Sequence, residues 1–460
     1  MEDPGRNRNR VFALLVDTAA MKHLFQEQLP EFSESGLTID SCKILHARDK
    51  TKLKLTSYER STLAVCYELF VREPGSEDGY IQILYAKAFL GGHSQVEYNQ
   101  FLDRSLAKLT CRQAVTHLPD LDVIIWSFPT DPSLPHLPEV MLKDRVVHHF
   151  PYDCFPAPFN DPGRLGAVDI KVIHYVGDVR CTAKYQLHTI VKGRSHSLTV
   201  YGKTYASGEG KEVYKRIQFF WEMARQAPNG IRVAQPLGYT EEIKTVWQLG
   251  MDGTPLHLQI DKSNYRVLLN SVAKGLATLH RAELSSPVMM TIDNQLSEIR
   301  KKLLKLLNAC RPFQAQLKSI EKDVERMAAE LPQVNNRLIH GDFHIRQLLV
   351  HDGEILFFDF DECAQGDPMQ DLASFIVDLH YYSFDQDLLN RMSRTLIDSY
   401  PTHAHCDIHV GRLMWHTTIH CVNKAYRYRF QKKLPFDEEL GKMSLALSGR
   451  ILNTVKELCR

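Results

Sequence analysis

Several patterns that would each point to a function class are missing from this sequence. No apolar run reaches the roughly 18–20 residues that cross a bilayer. The early stretch from Val11 to Val16 is cut short by Asp17. Met1 to Arg10 is polar and charged, which does not read as a secretory leader. Ten cysteines are scattered with no CxxC pair, so neither a zinc ribbon nor a disulfide framework is spelled out, and a reducing cytoplasm is the expected compartment. Charge of one sign is also lacking: 56 Lys and Arg face 55 Asp and Glu, for a formal net charge of +1. No global field draws the chain to nucleic acid or an anionic membrane, and neither is expected as a partner. There is no GxGxxG, so no glycine loop is offered to cradle phosphates.

What remains is ordinary globular material. The chain has 460 residues, 44% apolar and 24% charged, enough for two or three domains and a large core. Apolar positions Val11, Leu14, Leu15, Met21 and Leu24 predict a helix over 11–32. Residues 40–92 read as strands, with β-branched and aromatic runs 63–71 and 80–89 around a turn at 74–79, and a helix follows from about 95 to 109. Between 126 and 163 fall Pro129, Pro132, Pro135, Pro138, Pro151, Pro156, Pro158 and Pro162. Such density forbids long helices and central strands, and predicts a boundary or wrapping segment.

The strand pattern then returns. Ala183-Lys-Tyr-Gln-Leu187 echoes Val65-Cys-Tyr-Glu-Leu69, and Leu198 to Tyr205 echoes Ile83 to Phe89. Each echo ends in a lysine, Lys87 or Lys203, with a glutamate shortly after, Glu97 or Glu212. This predicts a duplicated β-rich unit, with two unrelated meanders as the plainer reading. Beyond residue 264 the chain reads mostly helical. Val267, Leu268, Val272, Leu276 and Leu279 mark a helix over 265–280, and long amphipathic helices are expected over 294–330. Short strands at 337–340, 347–350 and 355–360 interrupt before helices resume near 371.

Those short strands bracket the segment most suited to chemistry, His340-Gly-Asp-Phe-His-Ile-Arg-Gln347, then Ile355-Leu-Phe-Phe-Asp-Phe-Asp361 and Gly366-Asp-Pro-Met-Gln-Asp-Leu-Ala373. Asp342 follows a glycine on a loop, where its carboxylate can project. Gln347 offers an oxygen, and Asp359 ends an apolar run that reads as a buried strand. Two oxygen ligands and a nearby carboxylate suit Mg²⁺, which takes few protein ligands plus substrate phosphates. Phosphoryl transfer asks for little more: metal to neutralise charge and a carboxylate to orient the acceptor hydroxyl. The plainer reading is a polar loop between strands, with Asp371 as a helix cap.

This ordered set resembles the catalytic loop of the aminoglycoside phosphotransferase and choline kinase superfamily, closest to a branch with HGDxHxxQ. The resemblance covers roughly 165–440. It implies an α+β, protein-kinase-like bilobal fold, with a β-rich N-lobe (here duplicated) and a mostly helical C-lobe. It also implies roles: Asp342 as catalytic base, Gln347 and Asp359 as Mg²⁺ ligands, Asp371 bracing the loop from the following helix, and His340 structural. Gln347 departs from the usual Asn but keeps the carbonyl oxygen one methylene further out, as maltokinase-like members do. Asp361 is a secondary candidate for a second metal or the substrate. Lys203 with Glu212 fits the phosphate-binding lysine and its helix partner by position. Gln248, Leu249 and Met251 lie in the expected interlobe hinge that meets adenine. Lys87 belongs to the first copy, expected to be structural or regulatory.

The expected division is 1–125, a first β-lobe with its N-terminal helix; 126–164, a Pro-rich connector; 165–253, the nucleotide-binding lobe; and 254–460, the helical catalytic lobe. The expected function is an ATP- and Mg²⁺-dependent kinase of a small-molecule hydroxyl acceptor. A pseudokinase-type nucleotide-binding or scaffold protein is the alternative, favoured by Gln347 and the absent glycine loop. Missing DFG and APE segments argue against a protein kinase proper. Two rival signals are weaker. His403, His405, Cys406 and His409, with His416, His420 and Cys421, match no zinc spacing, and the helical pair is expected half-exposed. The run Lys424 to Lys433 alternates cations with aromatics, and reads as a solvated helix face or part of an acceptor pocket.

Overall fold

Tyr67 and Tyr185 anchor two sheets built to one plan. In the computed structural model the described residues are 4–49, 63–76, 78–89, 91–105, 114–226, 230–286, 288–333, 335–430, 448–453 and 455–457. The chain opens with helices α1 (Pro4–Val16), α2 (Thr18–Gln28) and α3 (Pro30–Ser33). The single helix expected over 11–32 is therefore three. Asp17 caps α2 by accepting the Ala19 and Ala20 N–H groups at 3.0 Å, and Pro30 opens α3, where its missing N–H costs nothing.

The first sheet holds strands β1 (Thr38–Asp49), β2 (Leu63–Arg72) and β3 (Gly79–Ala88). Helix α4 (His93–Ser105) follows, then the hairpin β4 (Val115–Leu118) and β5 (Val123–Ser127). Strand order is β1-β2-β3-β5-β4. Met21 and Phe25 of α2 pack with Leu63, Val65, Tyr67 and Leu69 of β2 in one core. Tyr67 meets Phe25 edge to face at 5.1 Å and donates its hydroxyl to Leu15 O at 2.5 Å, so the ring is buried with its polar end satisfied.

The proline-rich stretch yields only the short helices α5 (Leu137–Met141) and α6 (Lys143–Val146). Its Val140 carbonyl accepts the Tyr185 hydroxyl at 3.0 Å, and Phe150 packs edge-on to the Tyr185 ring at 5.5 Å. The second sheet repeats the first. Strands β6 (Ala167–Val176), β7 (Arg180–Val191) and β8 (Arg194–Tyr205) form a meander. Helix α7 (Gly210–Gln226) follows, then the short β9 (Arg232–Val233) and the hairpin β10 (Pro236–Thr240) and β11 (Thr245–Leu249). Strand order is β6-β7-β8-β11-β10. Along β7, Cys181, Ala183, Tyr185, Leu187 and Thr189 are buried in alternation, the period of two that a strand requires.

The repeat extends to atoms. Tyr67 pairs with Leu84 and Ala64 with Lys87; Tyr185 pairs with Val200 and Thr182 with Lys203. Lys87 and Lys203 therefore occupy the same lattice point relative to the tyrosines. Each ammonium lies 5.6 Å from the ring two residues on, Phe89 or Tyr205. The backbone N–H of that aromatic donates to Asp122 O at 2.8 Å in the first copy and to Lys244 O at 3.1 Å in the second. Both acceptors are the last residue of a hairpin turn and both are left-handed, with φ of 54° and 49°.

The helical part begins after β12 (Thr254–Pro255) and α8 (Leu256–Gln259) with α9 (Tyr265–His280), α10 (Ile292–Ala309) and α11 (Gln314–Glu330). Helix α9 has the bounds its apolar spacing predicts, with Leu268, Val272, Leu276 and Leu279 buried, but Val267 points outward at 69% exposure. Then come β13 (Arg337–Ile339), β14 (Leu348–His351), β15 (Glu354–Phe357), β16 (Ala364–Gly366), α12 (Met369–Leu379), α13 (Gln386–Ala404) and α14 (Val410–Phe430). Strand β13 pairs with β16 and β14 with β15, both antiparallel. The fold is α+β, as expected. It divides into two compact units, the first taking in Met1–Gly210 and Tyr239–Thr245, the second Lys211–Gly238 and Val246–Tyr426. No helix among the described residues is long and apolar enough to cross a membrane.

Gly275 lets α9 close on β15, because a Cβ there would sit 2.6 Å from the buried Phe357 ring. Gly275→Ala gains about 1 kcal/mol of helix propensity but overpacks the contact, at about 1–3 kcal/mol. Packing is expected to win: urea unfolding will show a lower midpoint for Gly275→Ala.

Candidate active site

Two loops of the second unit carry the sequence-predicted residues. Residues 340–347 link β13 to β14, and residues 358–363 link β15 to β16. Because β14 and β15 form a hairpin, the two loops start side by side. Phe358 N–H donates to Gln347 O at 3.0 Å, and His340 Nε2–H donates to Phe358 O at 2.8 Å. His340 is fully buried, and its Nδ1 finds no partner.

Asp371, in the first turn of α12, holds the first loop. Its Oδ2 accepts the His340 N–H at 2.7 Å and its Oδ1 the Gly341 N–H at 3.0 Å. It caps no end of its own helix. His280, the last residue of α9, donates from Nε2 to Asp371 Oδ2 at 3.0 Å and contacts Tyr400 Oη through Nδ1 at 2.7 Å. Asp371 is completely buried. Burial raises a carboxyl's pKa, but the bond and charge of His280, the charge of His340 and the His340 N–H together outweigh it. The Asp371 carboxyl stays below its ordinary value. Gly341 makes this close packing possible. Its φ is 84°, and a Cβ would lie 2.1 Å from Glu362 O.

The loop so held presents Asp342 half-buried, with its Oδ2 3.8 Å from His344 Nε2. His344 Nδ1 accepts the Arg346 N–H at 3.2 Å, so a neutral ring carries its proton on Nε2. Burial lowers the His344 pKa, against the pull of the Asp342 and Asp378 carboxylates. Gln347 Nε2 donates to Asp359 Oδ2 at 3.2 Å. Asp359 itself is left-handed, with φ and ψ of 60°, a conformation that costs a non-glycine residue about 1–2 kcal/mol. The structure thus brings Asp342, Gln347 and Asp359 onto adjoining loops. Gln347 meets Asp359 through its amide nitrogen; the amide's oxygen and the carboxylate are hard donors of the kind Mg²⁺ accepts.

The other predicted residues lie elsewhere. Lys203 is half-buried on β8 of the first unit. Glu212, in the first turn of α7, is exposed, and its carboxylate takes Lys215 Nζ at 2.7 Å. Gln248 and Leu249 end β11, and Met251 follows it. Asp361 lies in the same 358–363 loop as Asp359, where its carbonyl accepts from Arg216 at 2.7 Å.

Arg216 was not singled out from sequence, although it lies one turn beyond Glu212 on the same helix. It also donates to Phe360 O at 3.2 Å, and Phe220 stacks on Phe360 at 4.7 Å. His280 and Asp378 were missed as well. Asp378 is 5% exposed. Its Oδ1 is paired with Lys424, whose ammonium lies 5.2 Å from the Tyr381 ring, and its buried Oδ2 finds no partner.

The rival signals resolve into packing. His416 is not half-exposed but 1% exposed, and its Nε2 meets Asp367 Oδ2 at 3.2 Å. His403 bonds Asn270. Among the described residues, no three His, Cys, Asp or Glu side chains form a metal-holding group. Nor is the described part of the 424–433 run a solvated face: Ala425, Tyr426 and Phe430 are buried. Gln431, Lys432 and Lys433 lie outside the described residues.

Residues 206–404 match the model of APH, the phosphotransferase enzyme family. That segment is similar to the family over less than half of the chain. Both loops, Asp371 and His280 fall inside it, while Lys203 lies just before it. Among curated proteins none matches the chain. Solved structures similar to it include a choline kinase from Cryptosporidium parvum Iowa II, at 12% identity and TM-score 0.46, covering 69% of this chain and 96% of that one. A thermostable mutant of aminoglycoside phosphotransferase APH(4)-Ia, in apo form, is 15% identical with TM-score 0.45, covering 63% and 96%. The choline kinase LicA from Streptococcus pneumoniae is 15% identical with TM-score 0.41, covering 62% and 93%.

Asp371→Asn removes the charge that gathers three donors, and is expected to cost about 2–4 kcal/mol at neutral pH. A depressed carboxyl stabilises the fold above its unfolded value of 3.8 and loses that contribution as pH falls through the folded value. Urea unfolding from pH 7 downward will show the gap between wild type and Asp371→Asn narrowing below about pH 4.

Proposed function

We propose that the chain is an ATP- and Mg²⁺-dependent kinase of a small-molecule hydroxyl acceptor. The observation that carries the reading is the pairing of Gln347 with Asp359 at 3.2 Å on a loop adjoining Asp342. In this reading Gln347 and Asp359 hold the metal through their side-chain oxygens, and Asp361 is the further candidate beside them. Bound Mg²⁺ would neutralise charge developing on the transferred phosphoryl group.

Asp342 orients the acceptor hydroxyl and takes its proton as the new phosphate ester bond forms. His344, whose pKa burial lowers, stands beside Asp342 at 3.8 Å. The Asp371 carboxylate fixes the backbone from which Asp342 projects, which is the preorganisation such a transfer requires. Lys203 holds the nucleotide phosphates, and the backbone of Gln248, Leu249 and Met251 meets adenine. Asp378 and Lys424, whose charges act on His344, flank the acceptor. Arg216 ties α7 to the backbone of the loop that carries Asp359.

Turnover is to be followed by ADP release across a panel of sugars, amino alcohols and nucleosides. Asp342→Asn is expected to lower kcat by about 10²–10⁴-fold with the KM for ATP little changed. Gln347→Ala is expected to raise the Mg²⁺ concentration needed for half-maximal rate. Nucleotide binding without turnover on any acceptor would instead favour a pseudokinase. Full activity in Asp342→Asn would remove Asp342 from the mechanism.

A further inference from the structure

Among the described residues, a buried charge cluster that this mechanism leaves unused lies in the first unit. Asp178 sits left-handed, φ 65°, in the turn between β6 and β7. Its Oδ2 accepts Lys87 Nζ at 3.1 Å and the Tyr85 hydroxyl at 2.8 Å, and its Oδ1 accepts the Ser133 hydroxyl at 3.1 Å. The Lys87 and Asp178 side chains are only 19% and 10% exposed. The Asp178 N–H donates to Asp131 Oδ2 at 3.0 Å. Asp131, itself 3% exposed, also accepts the Tyr175 hydroxyl at 2.6 Å and the Ser133 and Leu134 N–H groups at 2.7 and 2.9 Å. Gly177 presses on the Tyr85 ring, which a Cβ would meet at 2.5 Å. The turn is therefore fixed from three sides onto strand β3 of the first copy.

Strand register makes Lys87 the counterpart of Lys203. In the second copy, that lattice point carries the lysine assigned to nucleotide phosphates. In the first copy the same lysine already holds an anionic group, the carboxylate of Asp178. The turn that supplies it belongs to the second copy's first hairpin. It lies at the end of β8, where Ala206 N–H donates to Val179 O at 3.0 Å, and Thr182, four residues past Asp178, pairs with Lys203. A kinase's phosphate-covering loop joins its first two strands and its lysine lies on the third. The β6–β7 turn and Lys203 stand in that order, but this turn carries no glycine-rich run.

We infer that the first lobe holds no nucleotide of its own: Lys87 clamps the β6–β7 turn through Asp178, so that a fixed turn replaces a glycine loop beside the phosphates on Lys203. Lys87 is thus a positioning residue. This inference rests on the kinase reading above.

The test uses the full chain, with Mg²⁺ and a non-hydrolysable ATP analogue for binding, and ATP for turnover. Wild type is expected to bind one nucleotide per chain. Lys87→Met and Asp178→Asn are expected to raise the KM for ATP about ten- to a hundredfold with kcat within about twofold, and to speed amide exchange at 176–180. Lys87→Arg should restore the KM. The double variant Lys87→Met with Asp178→Asn removes both members of the Lys87–Asp178 pair and leaves neither stranded, so its Tm should recover relative to Lys87→Met while its KM stays high, which separates positioning from folding. An unchanged KM and unchanged exchange in Lys87→Met, in a wild type that binds one nucleotide, overturns the clamp alone. Two nucleotides per wild-type chain overturn the closed first lobe. A wild type that binds none overturns the kinase reading and this role with it.

Discussion

The second unit depends on one buried carboxylate. Asp371 is fully enclosed, and each of its oxygens is spoken for by a backbone N–H of the loop at His340 and Gly341, with His280 closing the set. An enclosed charge with these donors is stable only while all of them are present, because removing one leaves the rest of the desolvation unopposed. The consequence is rigidity. Three elements distant in sequence, the end of α9, the loop after β13 and the start of α12, are fixed to a single point. Asp342 projects from the residue next to that point, and the β14–β15 hairpin carries the geometry across to Gln347 and Asp359. Asp359 is held left-handed on the loop after β15.

The first unit uses the same physics differently. Two copies of a β-meander, helix and hairpin share register, turn conformation and a lysine over an aromatic ring. A buried ammonium requires an anion, and in the first copy the chain supplies its own. If Lys87 clamps the β6–β7 turn as inferred, the enlarged β-region needs no second ligand site and the turn beside Lys203 needs no glycine run.

Much of this was legible in the sequence because it is periodic or local. The helix at 265–280 follows from its apolar spacing, and the repeat follows from the Tyr and Lys echoes, since strand register preserves sequence spacing. The loop motif is likewise contiguous, so Asp342, Gln347 and Asp359 could be named in advance. What was not legible is tertiary pairing. Nothing near His280 announces Asp371, ninety-one positions away, and His416 looked like surface because its partner Asp367 comes from the distant loop between β16 and α12. Val267 fits the helical pattern yet faces outward, because hydrophobicity at one position does not decide a face. The three-helix start was hidden for a local reason: Asp17 caps α2 and Pro30 opens α3 inside an unbroken apolar rhythm.

The central claim is that Gln347 and Asp359 form a metal-dependent nucleotide site under the control of the Asp371-held loop. Calorimetric titration of the full chain with a non-hydrolysable ATP analogue, with and without Mg²⁺, tests it most directly. The account predicts tight binding only with Mg²⁺, and loss of that Mg²⁺ dependence in Asp359→Asn. Binding indifferent both to Mg²⁺ and to Asp359 would contradict it.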